Sequence, residues 1–148
     1  YEMHDLGYNY RVSAISCALG NSQLSKLDGF LEERNKLAKY YDSILAGMGP
    51  NIRPIPRSHK CRHAWHLYVV HCEFDQLGIS RAQLMKRLES KGIGTQVHYR
   101  PVHLQPYHFI SNRPDLIGAQ RYYEKCLSLP LFIGLTPKDI NYVCKSLN

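Results

Sequence analysis

The chain has 148 residues, enough for a single domain with a substantial hydrophobic core. Hydrophobic residues make up 44% of it and charged residues 21%, which is ordinary for a soluble globular protein. No apolar run approaches the roughly 18 residues of a membrane helix, so no membrane partner is expected. The chain opens at Tyr1 in mid-pattern without an initiating Met, and we expect a fragment of a longer protein.

The charge balance is basic, with 19 Lys and Arg against 12 Asp and Glu, a net charge of +7. A basic surface can attract nucleic acid, acidic membranes or phosphorylated small molecules. Acidic residues interrupt the basic ones throughout, and no nucleic-acid-binding motif accompanies the charge, so we predict no nucleic-acid partner. The five cysteines have no short repeated spacing, which favours a reduced, cytoplasmic protein. Cys17, Cys126 and Cys144 have apolar neighbours and are expected to be core residues.

The first third of the chain is predicted to be helical. Ser13 is the expected N-cap of a helix with apolar residues at a period of 3.6. A second amphipathic run extends from about Ser25 to Ala46, with a bend expected at Gly29. Residues 12–47 would therefore form a helical arm, suited to packing or to an interface, within one domain spanning residues 1–148.

Short strands alternate with helices downstream. Residues 65–72 are β-branched and aromatic and are predicted to form a central strand, and residues 93–97 a second, short one. Ser80 and Gln83 form a capping box that begins a helix. A further helix is predicted from Pro114 to about Leu127, then an extended piece over residues 129–132 and a last helix beginning near residue 136. This order predicts an α+β fold with a small, mostly antiparallel sheet flanked by helices.

Residues 92–107 are the most distinctive stretch of the sequence. Its side chains with rings or amide groups include four that stand close together around the two interrupting prolines, Pro101 and Pro106: His98, Tyr99, His103 and Gln105. Proline lacks a backbone donor and restricts φ, so this stretch can be neither a continuous helix nor a central strand. It is typical of a binding loop. A turn-rich connection whose rings pack on their own domain is the alternative.

Asn9 and Arg11 stand just before the helix that Ser13 caps. Free backbone N–H groups and the helix dipole favour an anion at such a position. An arginine there can bind a phosphate or a carboxylate with two hydrogen bonds. The alternative is that both side chains are simply hydrated.

Histidine and cysteine are concentrated in one stretch of 14 residues: His59, Cys61, His63, His66, His71 and Cys72. Zinc sites commonly use close ligand pairs that converge on one point, and no matching second pair follows here. We therefore predict no metal site. No cysteine has a basic setting with an orienting carboxylate, although Cys61 has basic neighbours, so we assign no catalytic residue.

Five dispersed stretches together resemble the C-terminal part of the nucleotide-sugar aminotransferases of the DegT/DnrJ/EryC1/StrS family, which use pyridoxal phosphate. They are LGYNYRVSAISCALGNSQLSKLD, HAWHLYVVHC, GISRAQLM, GIGTQVHYRPVHLQPY and YYEKCLSLPLF. The match runs in order across almost the whole chain. It implies the small C-terminal domain of a fold-type-I aminotransferase, working as a dimer with active sites at the subunit interface.

The resemblance also implies a reaction and a set of site residues. Pyridoxal phosphate forms a Schiff base with a lysine of the large domain, and glutamate supplies the amine for a 4-keto-6-deoxy-sugar nucleotide. Asn9 would reach the cofactor phosphate across the dimer, with Arg11 near the glutamate or substrate site. The loop residues would lie over the nucleotide-sugar pocket: His98, Tyr99, His103 and Gln105.

No stretch of this sequence matches the large domain, and none of its nine lysines has the setting of the Schiff-base lysine. We therefore expect the isolated chain to be inactive, and to self-associate through apolar surface that the large domain would normally cover. The alternative function is a stand-alone, non-catalytic module that binds a nucleotide sugar or assembles with itself.

Overall fold

The computed structural model describes residues 9–57, 61, 63–105 and 115–147. Within them, six α-helices, three strands and one 3-10 turn form an α+β fold. In chain order they are α1 (Ala14–Leu24), α2 (Leu27–Leu45), β1 (Ile52–Pro54), β2 (Tyr68–Cys72), α3 (Phe74–Leu77), α4 (Arg81–Glu89), the 3-10 turn (Val102–Leu104), α5 (Ile117–Lys125), β3 (Cys126–Leu129) and α6 (Pro137–Leu147).

The three strands form one antiparallel sheet in the order β1-β2-β3, which confirms the predicted small antiparallel sheet and the central position of β2. Ile52 of β1 lies opposite Cys72, and Leu129 of β3 lies opposite Tyr68. Side chains of β2 alternate, so that Tyr68, Val70 and Cys72 are buried in the core while the two between them face the other side.

The core lies between the sheet and helices α2, α4 and α6. The rings of Tyr41 on α2 and Tyr68 on β2 stack with their centroids 4.5 Å apart. Full burial of each large apolar side chain contributes about 1.5–3 kcal/mol. The larger side chains with no exposed surface include Tyr41, Tyr68, Leu84, Leu88, Leu127 and Ile140.

The predicted helix starts are confirmed by their caps. The Ser13 hydroxyl accepts a hydrogen bond from the backbone N–H of Ser16 at 3.2 Å. At α4 the capping box is complete, because Ser80 and Gln83 each accept a bond from the other's backbone N–H, at 3.2 and 2.9 Å. Both caps satisfy N–H groups that a helix cannot pair internally.

Two of the predicted boundaries in the first half of the chain are wrong. The break between the first two helices falls at Ser25 and Lys26, and Gly29 continues within α2. The central strand begins at Tyr68 instead of Trp65, because Trp65 has a φ of +53° and cannot belong to a strand. Both boundaries are set by the conformation of the backbone at these residues, which the spacing of hydrophobic residues does not reveal.

The second half of the chain also departs from the prediction. Residues 93–97 form no strand and make a single bridge, between Gln96 and Ser128. α5 stops at Lys125, and the chain passes directly into β3, whose four residues are all buried. The helix was predicted to end too late, near Leu127. Pairing of residues 126–129 with β2 and burial of Leu127 outweigh the local preference of these residues for a helix. The start predicted at Pro114 lies outside the described residues.

The helix α1 has no buried residue. Its apolar side chains are in solvent, with Ile15 84% and Leu19 62% exposed. Cys17 on this helix is exposed as well, contrary to its expected place in the core, whereas Cys126 and Cys144 are buried as expected. By contrast, α2 joins the core from Leu37 onward. Among the described helices, none combines the length and apolar character needed to cross a membrane.

Candidate functional site

The face of the sheet opposite the core carries the candidate site. Val69 and His71 of β2 point to this face, and α5 packs across it. The ring of Tyr122 on α5 meets the ring of His71 edge to face, with centroids 5.7 Å apart. Tyr122 therefore stands at the centre of this face.

The histidine loop, residues 96–105, is attached to β3 and α5. Gln96 and Ser128 exchange two backbone hydrogen bonds, of 3.3 and 2.8 Å. The imidazole Nδ1 of His98 lies 2.7 Å from the hydroxyl oxygen of Ser128. The hydroxyl of Tyr122 donates to the carbonyl oxygen of His98 at 3.1 Å. These bonds hold the start of the loop in one position against the sheet.

The rest of the histidine loop faces outward to different degrees. Tyr99 is 69% exposed, and its ring meets that of His98 edge to face, with centroids 4.6 Å apart. His103 lies in the 3-10 turn and Gln105 directly after it, both half-buried. The structure thus places His98 and Tyr99 together, with His103 and Gln105 in the following turn. Their contact with a substrate stays a prediction.

A cleft of about 570 Å³ lies on the same face of the sheet and shares Tyr122 with the histidine loop. Its walls are mainly apolar and aromatic, with polar groups from the segment before β2. The lining residues are Ile55, Pro56, Arg57, Cys61, His63, Trp65, His66, Leu67, Val69 and Tyr122. Such walls suit a flat or apolar part of a ligand. No described lysine lines this cleft.

Arg57 in the cleft wall is held by a carboxylate from α2. Its two terminal nitrogens donate to Asp42 at 2.5 and 2.6 Å, and the hydroxyl of Tyr68 donates to the same carboxylate at 2.6 Å. The guanidinium lies 4.3 Å from the ring centroid of Trp65. The hydrogen bonds to Asp42 raise the pKa of Arg57, whereas burial comes first in raising the pKa of Tyr68. Arg57 therefore serves as a neutralised, flat part of the wall.

Trp65 is fixed in its unusual backbone conformation by three hydrogen bonds. Its backbone N–H donates to Nδ1 of His63 at 2.9 Å, and its indole N–H to the amide oxygen of Asn35 at 2.7 Å. Its carbonyl accepts from Arg34 at 2.7 Å. Two residues of α2 thereby position the largest ring of the cleft.

Our sequence reasoning missed the residues that build this face: Asp42, Arg57, Trp65, Tyr122 and Ser128. The sequence prediction places Trp65 in a strand and Tyr122 within a helix, with no role at a site. The density of rings and histidines before β2 was the one available signal.

The segment predicted to bind the cofactor lies apart from these contacts. Asn9 and Arg11 are exposed, and neither makes a hydrogen bond or ion pair with another described residue. They precede the capped start of α1, as the sequence predicts. Their side chains are available to a ligand, and their role in binding stays a prediction.

In the part of the chain that the structure describes, no three His, Cys, Asp or Glu side chains are grouped so as to hold a metal. His59 lies outside that part. Burial raises the pKa of Cys72 to about 12 and that of Cys144 to about 11, so these thiols stay protonated at neutral pH. Cys61 lines the cleft and is exposed.

The described residues thus form a small α+β domain with a loop fixed across one face of its sheet. The model of the DegT/DnrJ/EryC1/StrS aminotransferase family matches residues 1–148, and the chain belongs to that family. The structures of Streptomyces venezuelae DesV in complex with a ketimine intermediate and of Helicobacter pylori PseC each superpose with a TM-score of 0.83 over 99% of this chain, at 30% and 27% identity.

The relatives are considerably longer than this chain. The spore coat polysaccharide biosynthesis protein SpsC of Bacillus subtilis is 32% identical over 151 residues, which cover 99% of this chain and 39% of SpsC. The uncharacterized protein MJ1066 of Methanocaldococcus jannaschii is 33% identical over 143 residues, 95% of this chain and 37% of that protein. DesV and PseC are covered to 38% and 39%. The chain thus spans less than two-fifths of the length of these relatives.

Proposed function

We propose that this chain is the C-terminal part of a pyridoxal-phosphate-dependent aminotransferase that transfers the amine of glutamate to a 4-keto-6-deoxy-sugar nucleotide. The observation that carries the proposal is the histidine loop, attached through His98 to Ser128 and Tyr122 beside an aromatic cleft. Membership of an aminotransferase family supports the reaction type. In this function His98, Tyr99, His103 and Gln105 contact the sugar nucleotide.

The residues of this chain fit one end of the cofactor. Asn9 and Arg11 are exposed donors ahead of a capped helix start, where an anionic phosphate is stabilised by backbone N–H groups and the helix dipole. When bound, pyridoxal phosphate supplies the electron sink for the transfer. Asn9 of one subunit would hold its phosphate at the active site of the other, with Arg11 beside the cofactor, near the glutamate or substrate site. A homodimer is part of this proposal.

The described residues place no lysine where such a reaction needs one. No lysine lines the described cleft, and Lys125 is engaged with Glu73. The proton shuttle of a transaminase requires an amine at the cofactor. We propose that this amine belongs to a large domain outside these 148 residues, so that the chain alone is inactive.

The first prediction tests this division of labour. The 148-residue chain, supplied with pyridoxal phosphate, glutamate and a UDP-4-keto sugar, is expected to form no amino sugar. A longer protein that adds a large domain from a relative such as SpsC is expected to form it. Product formation is followed by mass spectrometry. Turnover by the 148-residue chain, or a longer protein that folds and binds the cofactor yet transfers no amine, would contradict the proposal.

For the sugar, we propose the precursor of UDP-4-amino-4,6-dideoxy-N-acetyl-altrosamine. The second candidate is the precursor of UDP-4-amino-4-deoxy-arabinose, a 4-keto pentose that lacks C6 and so lies outside the 6-deoxy class. Helicobacter pylori PseC, which is described as involved in pseudoaminic acid biosynthesis, supports the first at 27% identity. Comparing kcat/KM of the longer protein for the two keto sugars separates them, because a site that hydrogen-bonds a substrate group strongly disfavours an analogue lacking it.

The exposed apolar side of α1 favours a second function, an assembly module. Ile15 and Leu19 are largely in solvent, and no residue of α1 is buried. Contiguous apolar surface of this kind marks interaction sites. In this function the chain associates with itself through α1 and retains the histidine loop for a nucleotide sugar.

The second prediction concerns this surface. The chain is expected to form dimers or larger oligomers. The double variant Ile15→Lys, Leu19→Lys is expected to be monomeric, since two charges replace the apolar contact. Light scattering measures the mass. Asn21→Lys with Gln23→Lys is the matched control, because it adds the same charges at exposed polar positions of α1. A parent chain that is monomeric at high concentration would exclude association through α1.

A further inference from the structure

A second pocket, which we call the basic pocket, opens beside the cleft on the same face of the sheet. It has a volume of about 370 Å³ and lies between β1, β2 and α5. A Cβ built on Gly118 would meet no atom within 4 Å, so the side formed by α5 is open. The pocket is lined by Arg53, His71, Gly118, Arg121, Tyr122 and Lys125. It contains none of the residues assigned above to the sugar nucleotide or the cofactor.

The charges of the basic pocket are not balanced within it. Arg53 and Lys125 both bind one carboxylate, that of Glu73, at 3.0 and 2.5 Å. Arg121 is exposed and makes no hydrogen bond or ion pair with any described residue. Three permanent cations thus face a single anion. Placing like charges this close costs free energy that a bound anion removes.

His71 adds a directed group to the basic pocket. Its Nε2 atom is shielded from solvent and has no hydrogen-bond partner in the part of the chain that is described. A buried polar atom without a partner costs free energy until a partner is present. Tyr122 packs against the ring and limits where Nε2 can point. An anionic oxygen entering the pocket would satisfy this atom.

We propose that the basic pocket is a binding site for a phosphate dianion, either free or as the terminal group of a phosphate ester. Arg121 and Arg53 supply guanidinium donors, which pair well with phosphate oxygens, and Lys125 adds a point charge. His71 donates from Nε2. The volume leaves room for the ester group beside the phosphate. This inference does not depend on the proposed aminotransferase function.

Binding at this site is coupled to the protonation of His71. Burial, followed by Arg53 and Lys125, lowers the pKa of His71 in the free chain, while Glu73 acts against them. The other groups facing it are Arg121 and Tyr122 on α5 and Cys126 on β3. A dianion favours the charged imidazole, so its binding raises the pKa of His71.

The third prediction tests the site with inorganic phosphate and glycerol phosphate. The imidazole C–H signals of His71 are followed by NMR in the labelled chain, with ionic strength held constant by sodium chloride. We expect a saturable shift and a higher pKa for His71. Arg121→Gln is expected to weaken binding about tenfold or more, because it removes a charge-assisted donor. Saturation by both compounds indicates an ester ligand, and saturation by inorganic phosphate alone indicates the free ion.

Lys145→Gln is the matched control. It removes the same charge from an exposed position on α6 and is expected to bind both compounds as the parent does. Comparing the two variants distinguishes binding at a local site from general attraction of phosphate to a basic chain. A shift at His71 that never saturates, or an equal loss of binding in the two variants, would overturn the proposal. So would saturable binding that leaves His71 unshifted.

Discussion

Replacing Asp42 by alanine is expected to lower the free energy of unfolding by about 3 kcal/mol, the fourth prediction. The carboxylate accepts three short hydrogen bonds, two from Arg57 and one from the hydroxyl of Tyr68. Its removal leaves the hydroxyl of a fully buried tyrosine and a half-buried guanidinium without their partner. Equilibrium unfolding in urea measures the change. The Arg57 side chain should also leave its place in the cleft, because no carboxylate then holds it over the ring of Trp65.

Asp75→Ala is the matched control for this variant. It removes the same group from an exposed position in α3 where the side chain bonds to no described residue, so a change within about 0.5 kcal/mol is expected. Fluorescence of Trp65, the chain's one tryptophan, reports on the cleft, and only Asp42→Ala should alter it. Equal stability of the two variants would mean that the Asp42 cluster does not hold the wall.

Ser128→Ala is expected to release the His98 side chain, the fifth prediction. Ser128 is 4% exposed, and its hydroxyl is the described partner of the imidazole Nδ1. Losing a buried hydrogen bond of this kind costs about 1–2 kcal/mol of stability. The backbone pair between Gln96 and Ser128 persists in the variant, so the loop stays attached while the ring of His98 loses its orientation. The imidazole nitrogen chemical shifts of His98 should change, because Nδ1 loses its hydrogen-bond partner.

Ser146→Ala is the control for this second variant, because Ser146 is also buried and lies in α6, away from the histidine loop. It should leave the signals of His98 unchanged. In the longer protein, Ser128→Ala is expected to raise KM for the sugar nucleotide more than it changes the rate of cofactor loading. Unchanged nitrogen shifts for His98 would show that the bond to Ser128 does not orient the ring.

Much of the secondary structure could be predicted from local signals. Ser13 and Ser80 mark helix starts because a short side-chain oxygen satisfies N–H groups within three residues of itself. The strand β2 was found because β-branched and aromatic residues suit a pleated surface. These elements depend on neighbours in sequence, which is why the prediction and the structure agree there. The boundary between α5 and β3 depends on Leu127 reaching the core, and it was placed wrongly.

For the candidate site too, the sequence reveals the parts that are local and not the contacts between distant residues. Residues 98–105 could be recognised as a loop with binding chemistry, since prolines and ring nitrogens are visible in the sequence. The partners of His98 are Tyr122 and Ser128, which lie 24 and 30 residues away along the chain. The basic pocket likewise joins Arg53 to Lys125 only because both flank β2.

The sequence by itself therefore determined the helix caps of this protein, its central strand and the loop that carries its binding chemistry, because each of these is written in residues close together along the chain. It also determined the family, through five stretches that keep their order along the chain. Only the tertiary structure decided that this loop is fixed to β3, that Asp42 neutralises Arg57 in an aromatic cleft, and that Arg53 and Lys125 share the carboxylate of Glu73 beside His71. The pairing of β2 with both neighbouring strands created these contacts, and strand pairing depends on burial across the whole fold.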